Sequence, residues 1–326
     1  MILYSLMRTW QHIKDNPKLL EKYFIREKVI DSIRKFFKDR DFHEVFTPIM
    51  VPVPSIEPNL EVFETELRTS KGIKKRAFLI SSPEYAHKRL LAAGVGNTFE
   101  ITKSFRNEEE VSKLHSPEFT ILEWYRVNAN YFDIMNDFED LFLDIIGKDN
   151  LNYQGEVYDL AKPWPRITFS EAFKKYAGKN LEDVKDEGFY KTFFNEVEPK
   201  MLESKKPVFL YDYPISQASL ARPKKEDPKF AERFEVFIAG VELGNCFSEL
   251  TDADLQYKRF EADLAERKAK GKTDFPIDED FIDALKSGMP ESSGIAVGVD
   301  RLVMLAADVP SVSDTIFFPD DEMFDI

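Results

Sequence analysis

The stretch FRNEEEVSKLHSPEFTILEWYR, residues 105–126, decides how this chain reads. In its second half Phe119, Ile121, Glu123 and Tyr125 interleave with Thr120, Leu122, Trp124 and Arg126, the period of two of a strand. Glu123 and Tyr125 therefore share a face. A carboxylate on a mostly apolar strand face is costly unless a cation or hydrogen-bond donors meet it, so the pair points to a pocket for a positively charged ligand. In the first half Arg106 and Glu108 also stand two apart and can point the same way. An Arg offers a planar fork for phosphate oxygens, and a carboxylate accepts from amino groups such as the exocyclic amine of adenine. Together they predict a nucleotide and amino-acid site. Standing alone, R-x-E reads first as a solvated charged turn in a chain with 32% charged residues.

The 326 residues, 37.9 kDa, can bury a substantial core and predict one large domain. With 43% hydrophobic residues and a mean hydropathy of −0.38, no apolar run approaches the roughly 20 residues needed to span a bilayer. The N-terminal MILYSLMRTWQHIKDNP is soon interrupted by Arg8, His12, Lys14 and Asp15 and lacks the form of a secretory signal. A soluble, cytoplasmic protein without a membrane partner is expected. The single Cys246 fits this, because no intramolecular disulfide is available to it. A net charge of −14 makes a poor general binder of nucleic acid. The clusters Lys74, Lys75, Arg76 and Arg222, Lys224, Lys225 read as solvated loops.

Along the chain, Ile25, Val29, Ile30, Ile33, Phe36 and Phe37 recur at helical spacing and predict an amphipathic helix stopping near Asp39 to Asp41, after an N-terminal arm of residues 1–22. HEVFTPIM then reads as a short strand ended by Pro48, and residues 77–80 as another. Ser82 is placed to cap a helix carrying Leu90 and Leu91 and closing near Gly94, with Glu84 in its first turn. A strand is expected over 97–105 and a helix over 131–146. Residues 167–201 read as two or three helical segments without recognisable chemistry, taken as an insertion or scaffold.

RFEVFIAGVELGNCFSELTD, residues 233–252, is the second informative stretch. With Ala239 and Gly240 as a two-residue hairpin turn, Phe237 sits opposite Glu242, and Glu235 becomes a diagonal neighbour of Glu242 at roughly 7 to 8 Å. Two carboxylates so placed suit a shared Mg²⁺, which prefers a couple of carboxylates plus substrate phosphates to a full protein cage. Phe247 and Glu249 repeat the pairing of aromatic and carboxylate. Thr251 or Asp252 caps a long polar helix through Arg267, and a second helix runs from about Asp278 to Ser287, with Gly288 as its stop. Residues 294–307, GIAVGVDRLVMLAA, read as a buried strand entering a helix with Arg301 in the first turn. Positive charge is disfavoured there, so Arg301 asks for an anion.

Read together and in order, these pieces resemble the catalytic core of class II aminoacyl-tRNA synthetases, with FRNEE similar to the family's motif 2 and GVDRL to motif 3. The helix, strand and Pro near residues 25–48 are similar to motif 1. SPE (residues 82–84), HSPEFTILEWY (115–125), RFEVFIAGVELGN (233–245) and FSELTDA (247–253) are closest to the lysyl branch. The resemblance implies an α+β fold, a mainly antiparallel sheet flanked by helices, over residues 23–326, with a helical insertion at about 168–201. It implies a homodimer that uses ATP and Mg²⁺. Arg106 and Arg301 would be the catalytic cations, on the ATP α- and γ-phosphates. Asn107, Glu108, Ser116, Glu242, Leu243 and Gly298 would complete the ATP site, with Glu108 on the adenine amine. Glu235 and Glu242 would hold the metal. Glu123, Tyr125 and Glu249 would grip the side-chain ammonium of a lysine-type substrate and Glu84 an amino group nearer the carboxylate. Ser82, Pro83, Asn245, Phe247 and Ala296 would complete the substrate pocket.

No anticodon-binding domain is expected, because the motif 1 helix begins near residue 25. A core of this kind with SQASLA (216–221), GMPESSG (288–294) and Ala296 is similar to the elongation factor P lysine ligases, which attach a β-lysyl group to a lysine of that translation factor. The expected partners are lysine or β-lysine and elongation factor P, with tRNA disfavoured. Ser116 departs from the Asn of the family's HNPEF sequence. The competing readings are a minimal lysyl-tRNA synthetase, an asparagine synthetase of the same fold, which the acidic Glu123 and Glu249 disfavour, and a non-catalytic amino-acid or nucleotide sensor.

Overall fold

The computed structural model describes residues 8–109, 111–184 and 186–324. Residues 1–7 of the expected arm lie outside it. Eight strands form one sheet in the spatial order His43–Glu44, Thr98–Phe105, Glu118–Val127, Ser292–Gly298, Val241–Ser248, Phe230–Ile238, Val208–Pro214 and Arg166–Thr168. The six central strands are mutually antiparallel, and only the two short edge strands pair in parallel.

Alternation along these strands gives the sheet two unlike faces. Phe99, Leu122, Trp124, Phe234, Val236, Cys246, Ile295 and Val297 are buried in one apolar cluster. Against that face packs the helix Leu20–Lys38, whose Val29, Ile33, Phe36 and Phe37 form its buried stripe. The Phe37 ring lies 4.8 Å from Phe99 and 5.1 Å from Trp124. The helix Tyr131–Ile146 joins it, begun by an Asn130 capping box and ended by Gly147 at φ 66°, a conformation that costs glycine nothing. The segments between Phe169 and Leu202 bury Phe169, Phe173, Phe193 and Val197 against Val208 and Leu210 of the sheet.

The opposite face carries the polar residues in register. One row across five strands reads Glu100, Glu123, Ala296, Asn245, Glu235, and the next reads Thr98, Tyr125, Gly294, Phe247, Arg233. The expected hairpin turn is present: Ala239 at φ 52° and Gly240 at φ 77° join Ile238 to Val241, with Phe237 opposite Glu242. A bulge with Leu243 as the extra residue then moves Glu235 opposite Asn245, so the spacing of an unbulged hairpin does not apply.

The strand expected at HEVFTPIM is only His43–Glu44, with Met50–Val51 pairing in a separate three-stranded sheet beside Lys74–Leu79 and Glu64–Arg68. The basic clusters are partly neutralised: Arg76 pairs with Glu64, Arg222 with Glu232 and Lys224 with Asp212. Among the described residues no helix is long and apolar enough to cross a membrane.

Candidate active site

Two cavities open on the polar face. The first, about 190 Å³, is lined by Arg106, Ser116, Glu242, Leu243, Gly298 and Arg301, together with His115, Phe119 and Asp300. Arg301 lies in the first turn of the helix Val299–Ala306. Its guanidinium is fixed by donation to the carbonyls of Leu114 (3.2 Å) and Glu242 (2.7 Å) and by a 2.8 Å contact with His115 Nε2. Its approach to the Glu242 carboxylate is 3.9 Å, so positive charge remains facing the cavity. Ser116 Oγ donates to Asp320 of the last helix, Asp320–Phe324. Asn107 and Glu108 do not line this cavity. Glu108 sits at φ 57° just past the strand end, and its exposed carboxylate is 3.8 Å from Lys272.

The second cavity, about 100 Å³, is lined by Ser82, Glu84, Glu123, Tyr125, Asn245, Phe247 and Ala296, with Glu57 and Gly294. Glu123 Oε1 accepts from Ser82 Oγ at 2.5 Å and Oε2 from the Tyr125 hydroxyl at 2.8 Å. Ser82 Oγ also accepts the Glu84 N–H at 3.0 Å, but the N-cap of the helix Glu84–Ala92 is Pro83, so Ser82 stands one residue before the cap position its place in the sequence predicts. Pro83 lies at the helix entry, outside the cavity wall. Glu249 stands behind the wall, 1% exposed, with Oε2 2.7 Å from Lys88 Nζ.

Burial, reinforced by the nearby Glu84 charge, pushes the Glu123 carboxyl up to about 8 against the pull of its two hydroxyl donors. Burial likewise raises Glu249 to about 7, with Lys88 opposing and Glu84 adding to the shift. Glu242 is raised by burial and by Glu235, with Arg301, Arg106 and Arg233 opposing. It opens onto the first cavity with 43% of its side chain exposed, so water there moderates the shift.

The sequence matches the family described as tRNA synthetases class II (D, K and N) over residues 4–322. The chain is a class II tRNA synthetase family member. Within that family it is similar to the elongation factor P–(R)-beta-lysine ligase of Proteus mirabilis (strain HI4320), at 42% identity over 97% of this chain and 98% of the relative. The proteins of the same name from Salmonella arizonae and Salmonella typhimurium (strain LT2) are each 42% identical over 96% of this chain and 98% of theirs. The α+β class II fold read from the motifs is the fold observed.

Three buried polar groups of this class II site escaped the sequence reading. His87 is fully buried, stacks on Tyr125 at 4.8 Å and contacts Thr98 Oγ1 at 2.9 Å. Glu100 accepts from the Thr47 N–H at 2.7 Å and its hydroxyl at 2.9 Å. Lys88 stands four residues after Glu84, a spacing that puts both on one helix face, and that spacing was the available signal.

The raised Glu123 carboxyl makes the stability of this class II protein pH-dependent in its ligand-free form. A carboxyl at about 8 in the fold and near 4.5 unfolded stabilises the native state fully below pH 4.5, and that contribution is lost as pH rises towards 8. Each pH unit within that window changes stability by up to about 1.4 kcal/mol. Glu123→Gln stays neutral throughout. Its melting temperature relative to wild type is therefore expected to climb steadily from pH 5 to pH 8, whereas parallel melting curves across that range rule out a proton on Glu123.

Proposed function

We propose that the protein activates a lysine-type amino acid, (R)-β-lysine, as an aminoacyl-adenylate and transfers it to a lysine of elongation factor P in the cytoplasm. One observation carries the reading: the two cavities share Arg106, Ile121, Asn245 and Ala296. A phosphate held in the first and a carboxylate held in the second meet at the Arg106 guanidinium.

In the first step a carboxylate oxygen of the amino acid attacks the ATP α-phosphorus, the bond to the β-phosphate oxygen breaks, and pyrophosphate leaves. In the second the acceptor lysine amine attacks the activated carbonyl, AMP leaves, and the amine proton passes to water. The protein contributes orientation and charge stabilisation and needs no nucleophile of its own. Arg106 stabilises charge developing at the α-phosphate, and Arg301, anchored at a helix N-terminus, takes the terminal phosphate. Glu84, Glu123 and Tyr125 receive the amino groups. Ser82 orients Glu123.

Glu235 and Glu242 fit a Mg²⁺ ion. Among the described residues no three or more His, Cys, Asp or Glu side chains group to hold a metal, and a carboxylate pair is the donor set this ion uses when phosphates supply the rest. Glu242 lacks a close cation, its nearest being Arg301 at 3.9 Å. Glu235 is already engaged, accepting from Arg233 at 2.5 Å and the Tyr213 hydroxyl at 2.6 Å. When bound, the ion neutralises phosphate charge.

A homodimer is part of the proposal. Phe46 is 78% exposed, with Ile49 and Met50 exposed beside it, an apolar surface that a second copy covers.

ATP–pyrophosphate exchange with L-α-lysine and (R)-β-lysine side by side, followed by transfer to elongation factor P or to tRNA, tests the reading. Preference for β-lysine with transfer to the factor is expected. Preference for α-lysine with charging of tRNA makes the protein a minimal lysyl-tRNA synthetase, and no exchange with either makes it a sensor.

A further inference from the structure

Behind the amino-acid cavity the helix Glu84–Ala92 carries Lys88, 0% exposed, with Nζ 2.5 Å from Glu84 Oε1 and 2.7 Å from Glu249 Oε2. Burial alone would depress an ammonium, yet the charges of Glu249 and then Glu84 outweigh it and hold Lys88 above the ordinary lysine range. It is the one cation that the described residues place in salt-bridge contact with either carboxylate. The Phe281 ring, 6.0 Å away, covers another side of the ammonium.

We propose that Lys88 is a positioning residue for amino-acid recognition: its buried ammonium, in contact with both, fixes the Glu84 and Glu249 carboxylates behind and along the cavity wall, so that the wall meets a substrate ammonium with its acceptors already oriented. The inference rests on the lysine-type substrate proposed above.

The charges around this ammonium support the role. Glu84 faces Lys88 from the same helix and Glu249 from just past the strand Val241–Ser248, while Glu123 and Tyr125, on the strand Glu118–Val127, feel the charge of Glu84. The charge of Glu84 raises Glu123, Glu249 and the Glu57 carboxyl alike, so the wall's carboxylates repel one another. Arg106 offsets this at Glu57. Without Lys88 the Glu249 carboxyl loses the charge and the hydrogen bond that oppose its rise and keeps its proton to higher pH, and a protonated carboxyl offers a donor to an ammonium that needs acceptors. With Lys88 in place, the group keeps net negative charge for a substrate bearing two amino groups. A bare ion pair of this kind is a weak stabilising device, since apolar side chains fill such space as well, which leaves recognition as the role the geometry serves.

Lys88→Met and Lys88→Gln, assayed by pyrophosphate exchange from pH 6.5 to 9 beside wild type, test this. The expected result is an amino-acid KM raised at least tenfold at pH 7, an unchanged ATP KM, and a deficit that shrinks towards pH 9 as Glu249 ionises. Lys88→Arg, which keeps the charge, is expected to recover most of the affinity. A uniform loss in kcat at every pH with both KM values moving together, or no change at any pH, overturns the proposal. So does failure of both neutral variants to fold, which makes Lys88 a stability element only. Wild-type protein that exchanges with neither lysine sinks the substrate reading itself, a result distinct from any of these, and this inference goes with it.

Discussion

Arg106→Ala is expected to lower amino-acid-dependent ATP–pyrophosphate exchange by at least about 10³-fold while the protein stays folded. Removing one preorganised donor to developing charge typically costs 10²- to 10³-fold, and a guanidinium supplies two in a fixed fork. Arg106 lines both cavities, its guanidinium rests over the Phe119 ring at 5.1 Å, and among the described residues its buried Nε has no hydrogen-bond partner. No carboxylate lies within salt-bridge distance of it among those residues, and the Glu57 and Glu242 carboxyls whose rise its charge opposes can take up a proton when it is removed, so the fold survives. The loss falls mainly on kcat, because the charge it meets grows in the transition state. Exchange within tenfold of wild type would refute its place at the α-phosphate.

Gly294→Ala is expected to destabilise the protein strongly, its added Cβ making the closest contacts of any glycine among the described residues. A Cβ built there stands 2.3 and 2.4 Å from two ring carbons of Tyr125 and 2.8 Å from Glu249 Oε1. Neither can withdraw: the Tyr125 ring is buried against His87, and Glu249 is held by Lys88. Overpacking of this severity costs about 3 kcal/mol, and displacing Tyr125 also takes the hydroxyl from Glu123. Urea unfolding with parallel amino-acid binding measures both effects. Gly298→Ala is the control for stability, because its Cβ meets only the Arg301 side chain, at 3.5 Å or more. Equal melting of the two variants would mean that the Tyr125 ring has room to move.

What the sequence disclosed followed from periodicity and local chemistry. Strict alternation from Phe119 to Arg126 placed Glu123 and Tyr125 on one face, and the Ala239–Gly240 turn fixed Phe237 opposite Glu242. What it withheld depends on partners far along the chain. The bulge at Leu243 leaves no mark in a two-residue turn count. Glu108 was paired with Arg106 by assuming that the strand continues, whereas it ends at Phe105 and a left-handed residue turns the carboxylate towards Lys272. The strand Glu64–Arg68 is exposed at every position, so it carries no apolar alternation to read. Beyond its spacing from Glu84, Lys88 carries no distinguishing mark in its helix, and only the fold brings Glu249, 161 residues later, against it.

The proton held on Glu123 turns filling of the second cavity into an exchange of cations. A substrate ammonium finds that site occupied by hydrogen ion and can enter only as the hydrogen ion leaves for solvent. Apparent affinity for the amino acid therefore rises with pH towards 8, and binding in a weakly buffered solution acidifies it. Heats of binding then vary with the ionisation enthalpy of the buffer, because the buffer takes up what the carboxyl gives away.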